Sequence, residues 1–243
     1  MNLLAGFMDL IYPPRCAICL SFLSKDRAHG KEPFCEQCLK GFERIRSPLC
    51  PVCGTPHGSD RQTDHLCGEC HKKRPFYEIC RAPYLYRGAA MTAVHVFKYG
   101  QKIILGDQLG VLLADFAQEW IGGIENLLVM PVPLHPARLR HRGFNQSLVL
   151  ARHVAGRLGA ELDFLSLRRI RKTLPQTGLG KKERTRNVKG AFSLESPSRV
   201  RGRSVLLIDD VSTTGNTLSQ CALALKKGKA KEVFCLVFAR AVN

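Results

Sequence analysis

The sequence predicts an α/β fold, a mainly parallel sheet with helices on both faces, behind a small cysteine-rich module. Eight of its 11 cysteines stand as C-x-x-C pairs before residue 71. From about residue 80 onward, apolar strand-like runs alternate with helix-like patterns, the order that builds a parallel sheet covered on both sides. One of those runs, "VLLIDDVSTTGNT" (205–217), ends in two adjacent aspartates and a hydroxyl-rich loop. Two units are expected, 1–80 and 81–243.

In the module, Cys16 and Cys19 are followed after 15 residues by Cys35 and Cys38, and Cys50 and Cys53 after 13 by Cys67 and Cys70. Each pair offers two thiolates on one side of a tight knuckle, and two knuckles complete a tetrahedral shell for zinc. Sequential pairing gives two zinc ribbons, and interleaved pairing uses the same ligands. So small a module lacks a core of its own, and the metal supplies folding free energy. A closed four-thiolate shell has no open position, so both ions are structural. The module either presents loops to a partner such as nucleic acid or stabilises its neighbour. His57, His65 and His71 are expected at the surface. Cysteine pairs of this kind suit a metal in a reducing compartment, which points to the cytoplasm. Cys221 and Cys235 fall in apolar patterns and are expected core thiols. Cys80 carries no signal.

The first 14 residues are apolar, lack a basic start and are interrupted by Asp9. They read as a short amphipathic helix rather than a signal peptide. No run reaches the length of a membrane-spanning helix. Lys and Arg number 37 against 20 Asp and Glu, a net charge of +17, with dense runs at 135–143, 167–173 and 181–189. A field of that sign favours polyanions or phosphorylated ligands.

Along the second unit, 82–88 reads as a strand, and 89–100 and 105–120 read as helices. Residues 126–133 form a buried strand ending in a Pro-flanked loop. An amphipathic helix spans 145–159, closed by Gly159, with Asn145 or Gln146 as its cap and Phe144 in the core before it. Arg138, Arg140, His141 and Arg142 crowd a loop ahead of that helix, where cations beside an aromatic suit pyrophosphate or a single nucleic-acid strand. A strand at 204–210, a helix at 217–229 and a last strand at 232–240 complete the order.

The strand at 204–210 carries Asp209 and Asp210 to its carboxyl end, the edge where open α/β sheets bind ligands. A helix starting near Thr217 exposes free N–H groups and a positive dipole end. Gly215 allows close approach or a positive φ, and Ser212, Thr213, Thr214 and Thr217 add hydroxyls. Together these make a phosphate cradle. The aspartates would repel the same phosphate, so they suit sugar hydroxyls or magnesium. A phosphate beside vicinal hydroxyls points to a ribose 5-phosphate.

The stretch 205–217 resembles the phosphoribosyl pyrophosphate (PRPP) motif of type I phosphoribosyltransferases. "PVPLHPARLRHRGFNQSLVLA" (131–151) is similar to the signature of the ComF family, and "QTGLGKKERTRNVKGAF" (176–192) to that family's next block. "FKYGQK" (97–102) matches an earlier block, and the cysteine module matches the family's double zinc ribbon. The resemblance covers nearly the whole chain. It implies a phosphoribosyltransferase-type fold behind a zinc ribbon, and a function in natural competence, acting on incoming single-stranded DNA. Carried over by position, Asp209 and Asp210 contact the ribose hydroxyls and magnesium. Thr213, Thr214, Gly215, Asn216 and Thr217 hold the 5-phosphate. The pyrophosphate loop runs over 131–142, and 171–186 takes the place of the flexible loop, with Lys181, Lys182 and Arg184 as clamps.

The chain departs from purine-salvage enzymes of this fold at one position. Their phosphate loop has an aspartate that handles the base proton, and the matching residue here is Thr213. No general base replaces it, and no nucleobase hood is recognisable, so no catalytic residue is assigned. The leading expectation is a protein that binds PRPP and single-stranded DNA, working with DNA-uptake or DNA-processing proteins. A salvage-type transferase and a non-catalytic zinc-ribbon module that binds nucleic acid are the alternatives.

Overall fold

The computed structural model describes residues 13–24, 32–58, 63–100, 103–173 and 181–242, so the expected N-terminal helix lies outside the described residues. Two short helices, α1 (Glu36–Lys40) and α2 (Gly68–Lys72), each follow the first cysteine of a second knuckle. The strands β1 (Ile79–Arg81) and β2 (Tyr84–Leu85) then lead into helices α3 (Gly88–Tyr99) and α4 (Ile103–Ile121). Next come β3 (Leu127–Pro131), α5 (Pro136–Arg142), α6 (Gln146–Leu158), β4 (Glu161–Leu162) and β5 (Leu167–Arg169). The chain ends with α7 (Lys181–Val188), β6 (Phe192–Leu194), β7 (Ser204–Ser212), α8 (Asn216–Lys227) and β8 (Glu232–Arg240).

The main sheet has the order β1-β8-β7-β3-β4, with β2 also on β8, and every pairing in it is parallel. β5 and β6 form a separate antiparallel pair around 170–191. The strand expected at 82–88 differs. It starts at Ile79 and breaks at Ala82–Pro83, because proline has no N–H to give the ladder. The basic run after β3 is also not a loop. His135 accepts the Ala137 N–H at 3.2 Å, Pro136 opens α5, and Gly143 closes it at φ 79°.

β7 organises the core. Its side chains alternate, so Leu206 and Ile208 face one side and Val205 and Leu207 the other, all fully buried. The first side is covered by α3, α4 and α6, through residues such as Phe97, Leu109 and Leu150. The second is covered by α8, through Leu218, Cys221 and Leu225. Helices therefore cover both faces. The cysteine module divides the same way: Cys16 and Cys38 join the first core, and Cys50, Cys53 and Cys70 the second. Cys80 lies opposite Cys235 in the β1–β8 register, and both are buried, as is Cys221. Burial pushes the Cys80 thiol up to about 11, which suits an inert core residue.

α4 and α6 pack closely because glycine leaves room. A Cβ on Gly106 would lie 2.5 Å from the Phe97 ring and 2.7 Å from Val149. Gly106→Ala gains about 1 kcal/mol of helix propensity but pushes against the buried Phe97 and the half-buried Val149, at a cost of about 1–3 kcal/mol. Overpacking should win, lowering Tm by about 2–4 °C. A raised Tm would show that the two helices separate freely.

Candidate functional site

The eight paired cysteines form two groups, Cys16/Cys19/Cys35/Cys38 and Cys50/Cys53/Cys67/Cys70, each with all four sulfurs within 4.8 Å of one another. The pairing is sequential, not interleaved. Cys19 and Cys35 are 3.7 Å apart and Cys53 and Cys67 3.6 Å, against about 3.8 Å for the edge of a tetrahedron with Zn–S bonds of 2.3 Å. The donor sets fit two structural zinc ions. His57 and His65 do not join them. Their rings stack at 3.7 Å, and each bonds a backbone carbonyl, His57 to His65 and His65 to Thr63.

The second site arises from topology. From β3 the chain crosses through α6 to β4 on one side, while from β7 it crosses through α8 to β8 on the other. The carboxyl ends of β3 and β7 thus flank a switch point, where a crevice opens. β7 carries Asp209 and Asp210 there and continues to Ser212, further than the alternation alone indicates. Gly215 then takes φ 71° and starts α8. A side chain there would be strained, and its Cβ would lie 3.0 Å from the Tyr77 hydroxyl.

The cavity in the crevice measures about 390 Å³. Asp209, Asp210, Thr213 and Thr217 form one wall. Asp209 Oδ1 accepts from Ser147 Oγ at 2.8 Å and from the Asp210 N–H at 2.9 Å. Ser147 is set in turn by Asn145, the cap of α6. Asn145 accepts the Ser147 N–H at 3.1 Å and donates to the Val132 carbonyl at 3.2 Å. Lys98, from α3, pairs with Asp210 at 2.9 Å, the two side chains being only 17% and 11% exposed. Burial opposes the charge on Lys98, but Asp210, and after it Asp209, hold its pKa above the usual value. Asp209 is pushed up to about 7, by burial first and then by repulsion from Asp210, against the pull of Lys98.

The facing wall is cationic. Arg138 and Arg142 project from α5 into the cavity, whereas Arg140 is exposed and is not part of its lining. Arg142 donates to Gln146 Oε1 at 3.1 Å and lies over the Tyr99 ring. Phe144 packs against Phe97, with ring centroids 5.5 Å apart, in its expected core role. Arg169 of β5 also lines the cavity, buried over Phe192, and its Nε has no hydrogen-bond partner among the described residues. Lys181, Lys182 and Arg184 fall on α7, and their side chains lie outside the described residues. Ser212 is buried and accepts from Arg240 Nη1 at 3.4 Å, so it braces the loop from behind. Thr214, Gly215 and Asn216 face a second cavity of about 470 Å³, between the loop and the second cysteine group.

Lys98, Ser147 and Arg169 are among the cavity residues that sequence reasoning missed. Lys98 had a usable signal. It stands four residues after Val94 and next to Phe97, both buried, so a cation falls on an apolar helix stripe. Arg169 had none, since its run holds several arginines and β5 is three residues long.

Reduced protein should contain two zinc ions per chain, and Cys53→Ser should lose one; no zinc would overturn the ribbon geometry. Between about pH 4 and 7 the native Asp209 binds more protons than the unfolded chain, so its contribution to stability falls as pH rises. Asp209→Asn should therefore raise Tm by about 2–4 °C at pH 8 and by less at pH 5. The reverse order would mean that Lys98 already neutralises both carboxylates. Lys98→Met should cost roughly 3 kcal/mol by leaving Asp210 unpaired, and Asp210→Asn in that background should recover part of the loss.

Comparison with known proteins gives a double zinc ribbon domain at residues 7–74 and a phosphoribosyl transferase domain at residues 145–242. The DNA utilization protein YhgH of Escherichia coli K12 is 33% identical over 233 residues, 93% of this chain and 98% of that protein. Competence protein F of Haemophilus influenzae is 29% identical, over 87% of this chain and 92% of its own length. Competence protein ComFC of Bacillus subtilis is 27% identical, over 90% and 91%. With matching blocks along its length and a relative of this identity aligned almost end to end, the chain belongs to the ComF family of competence and DNA-utilization proteins.

Proposed function

We propose that this protein binds PRPP, with magnesium, in the crevice between β3 and β7, and single-stranded DNA beside it. It would act in the cytoplasm in the uptake or use of DNA. One observation carries the reading: Asp209 shares one cavity, at the sheet's switch point, with Thr213 of the loop and Thr217 of the first turn of α8. Lys98 already balances Asp210, so Asp209 is the carboxylate left for magnesium or the ribose hydroxyls. The loop from Thr213 to Thr217 would take the 5-phosphate on its N–H groups and hydroxyls. Arg138, Arg142 and the orphaned Nε of Arg169 line the place where a pyrophosphate would lie, and α7 would bring Lys181, Lys182 and Arg184 to the same ligand.

Two features favour DNA. Lys73, Arg74 and the part-exposed Phe76 line the second cavity, cations beside an aromatic of the kind that bind bases and phosphates together. The relatives named for competence and DNA utilization support the same reading. With Thr213 at the position of the salvage enzymes' aspartate, the residues favour ligand binding over nucleobase transfer.

Phosphorus NMR of PRPP tests the crevice. With zinc-replete protein and magnesium, the PRPP lines should broaden or shift, and the Asp209→Asn, Asp210→Asn double variant should abolish the effect. Lines that ignore the wild-type protein would overturn PRPP binding. Single-stranded DNA affinity should fall steeply with salt, and changing Lys73 and Arg74 together should flatten the slope. A salt-independent affinity would refute the electrostatic interface.

A further inference from the structure

The second cysteine group and the phosphate loop are joined by buried side chains. Arg240, the last residue of β8, is 5% exposed. It donates Nε–H to Thr55 Oγ1 at 2.9 Å and Nη1 to Ser212 Oγ at 3.4 Å. Thr55 Oγ1 in turn lies 3.1 Å from Cys53 Sγ. Ser212 is the residue from which the loop departs, and its carbonyl accepts the Ala241 N–H at 2.9 Å. Two further contacts run in parallel. The Tyr77 hydroxyl closes over Gly215, and the Phe76 N–H donates to Ser219 Oγ, in the first turn of α8, at 3.2 Å. The knuckle itself sits flush on β1: the Cys80 N–H donates to the Val52 carbonyl at 2.7 Å, and a Cβ on Gly54 would lie 2.6 Å from the Cys80 carbonyl.

Charge explains why an arginine stands there. A zinc ion with four thiolates is net negative, and a buried centre of that sign needs a nearby cation. Arg240 supplies one and, with its planar fork, reaches the knuckle and the loop at once. The first cysteine group has no such link among the described residues. It packs on the opposite face of the sheet, with Phe34, Phe42 and Phe238.

We propose that the second four-cysteine site is the seat of the phosphate loop: zinc bound there, acting through Thr55 and Arg240 on Ser212, sets the loop's geometry and its affinity for a phosphate ester. Arg240 is then a positioning residue, and the two metal sites do different work. The first closes its own knuckles against the opposite face of the sheet; the second also tunes a ligand site. The proposal rests on the phosphate reading of the loop only for its ligand, not for the coupling itself.

The test uses the full-length, zinc-replete protein and three readouts: zinc content, amide exchange of residues 213–219 without ligand, and PRPP affinity by calorimetry with magnesium. Arg240→Gln should keep both zinc ions, speed loop exchange relative to the α4 and α6 amides, and weaken PRPP roughly tenfold, as losing a hydrogen bond to a charged group implies. Thr55→Val, a milder change, should shift both readouts in the same direction even if Arg240→Gln folds poorly. Cys53→Ser should lose one zinc ion and loosen the loop at least as much. Cys19→Ser should lose the other zinc ion and leave loop exchange and PRPP affinity at wild-type values. Loop exchange unchanged in Thr55→Val and Cys53→Ser would overturn the coupling, as would equal loosening by Cys19→Ser. Faster exchange in a protein that never binds PRPP would uphold the coupling and refute the phosphate ligand instead.

Discussion

The enclosed ion pair between Lys98 and Asp210 is the interaction on which the crevice depends. Two adjacent carboxylates at the end of a buried strand repel one another and lose hydration. Without a cation beside them, both would be driven towards the neutral form. Lys98 settles one of them, and the cost is left on Asp209, whose proton is held up to about 7. The site is thus built with one carboxylate paired to a cation and one held by hydrogen bonds alone. An arriving cation or a set of hydroxyl donors gains most at the second.

The cavity shows the same division across its width. Its acidic wall comes from β7, at the centre of the sheet, and its cationic wall from α5 and β5 at the margin. Arg169 is the extreme case, a guanidinium buried over an aromatic ring with one N–H unmatched among the described residues. Buried donors without partners are costly, so such a group is poised for an anion. A ligand with hydroxyl groups for the carboxylates and an anionic group for the arginines would satisfy both walls at once.

The cysteine module solves a different problem. Short segments such as α1 and α2 cannot hold themselves together, and metal ligation replaces the core they lack. Packed against opposite faces of one sheet, the two metal groups extend both hydrophobic cores past the β1 edge. The edge strand is thereby covered, and the module becomes continuous with the domain behind it.

Much of this was legible in the chain. The sequence by itself determined the eight metal ligands, because knuckle spacing is local. It determined the order of the long elements, because their periodicity is local too. It placed Asp209, Asp210 and Gly215 on one strand–loop–helix unit for the same reason. Short elements escaped: β4 and β5 are too brief to show a period, and α5 hides in a basic run that reads as a loop. The partners of the aspartates were decided only in three dimensions. Lys98 and Ser147, and Arg169 across the cavity, lie tens of residues from Asp209 and share its site only because parallel crossovers bring distant segments to one sheet edge. Arg240 reaches Thr55 across 185 positions on the same principle. Spacing reveals chemistry carried by neighbours in the chain, whereas charge compensation between distant segments exists only once the sheet has closed.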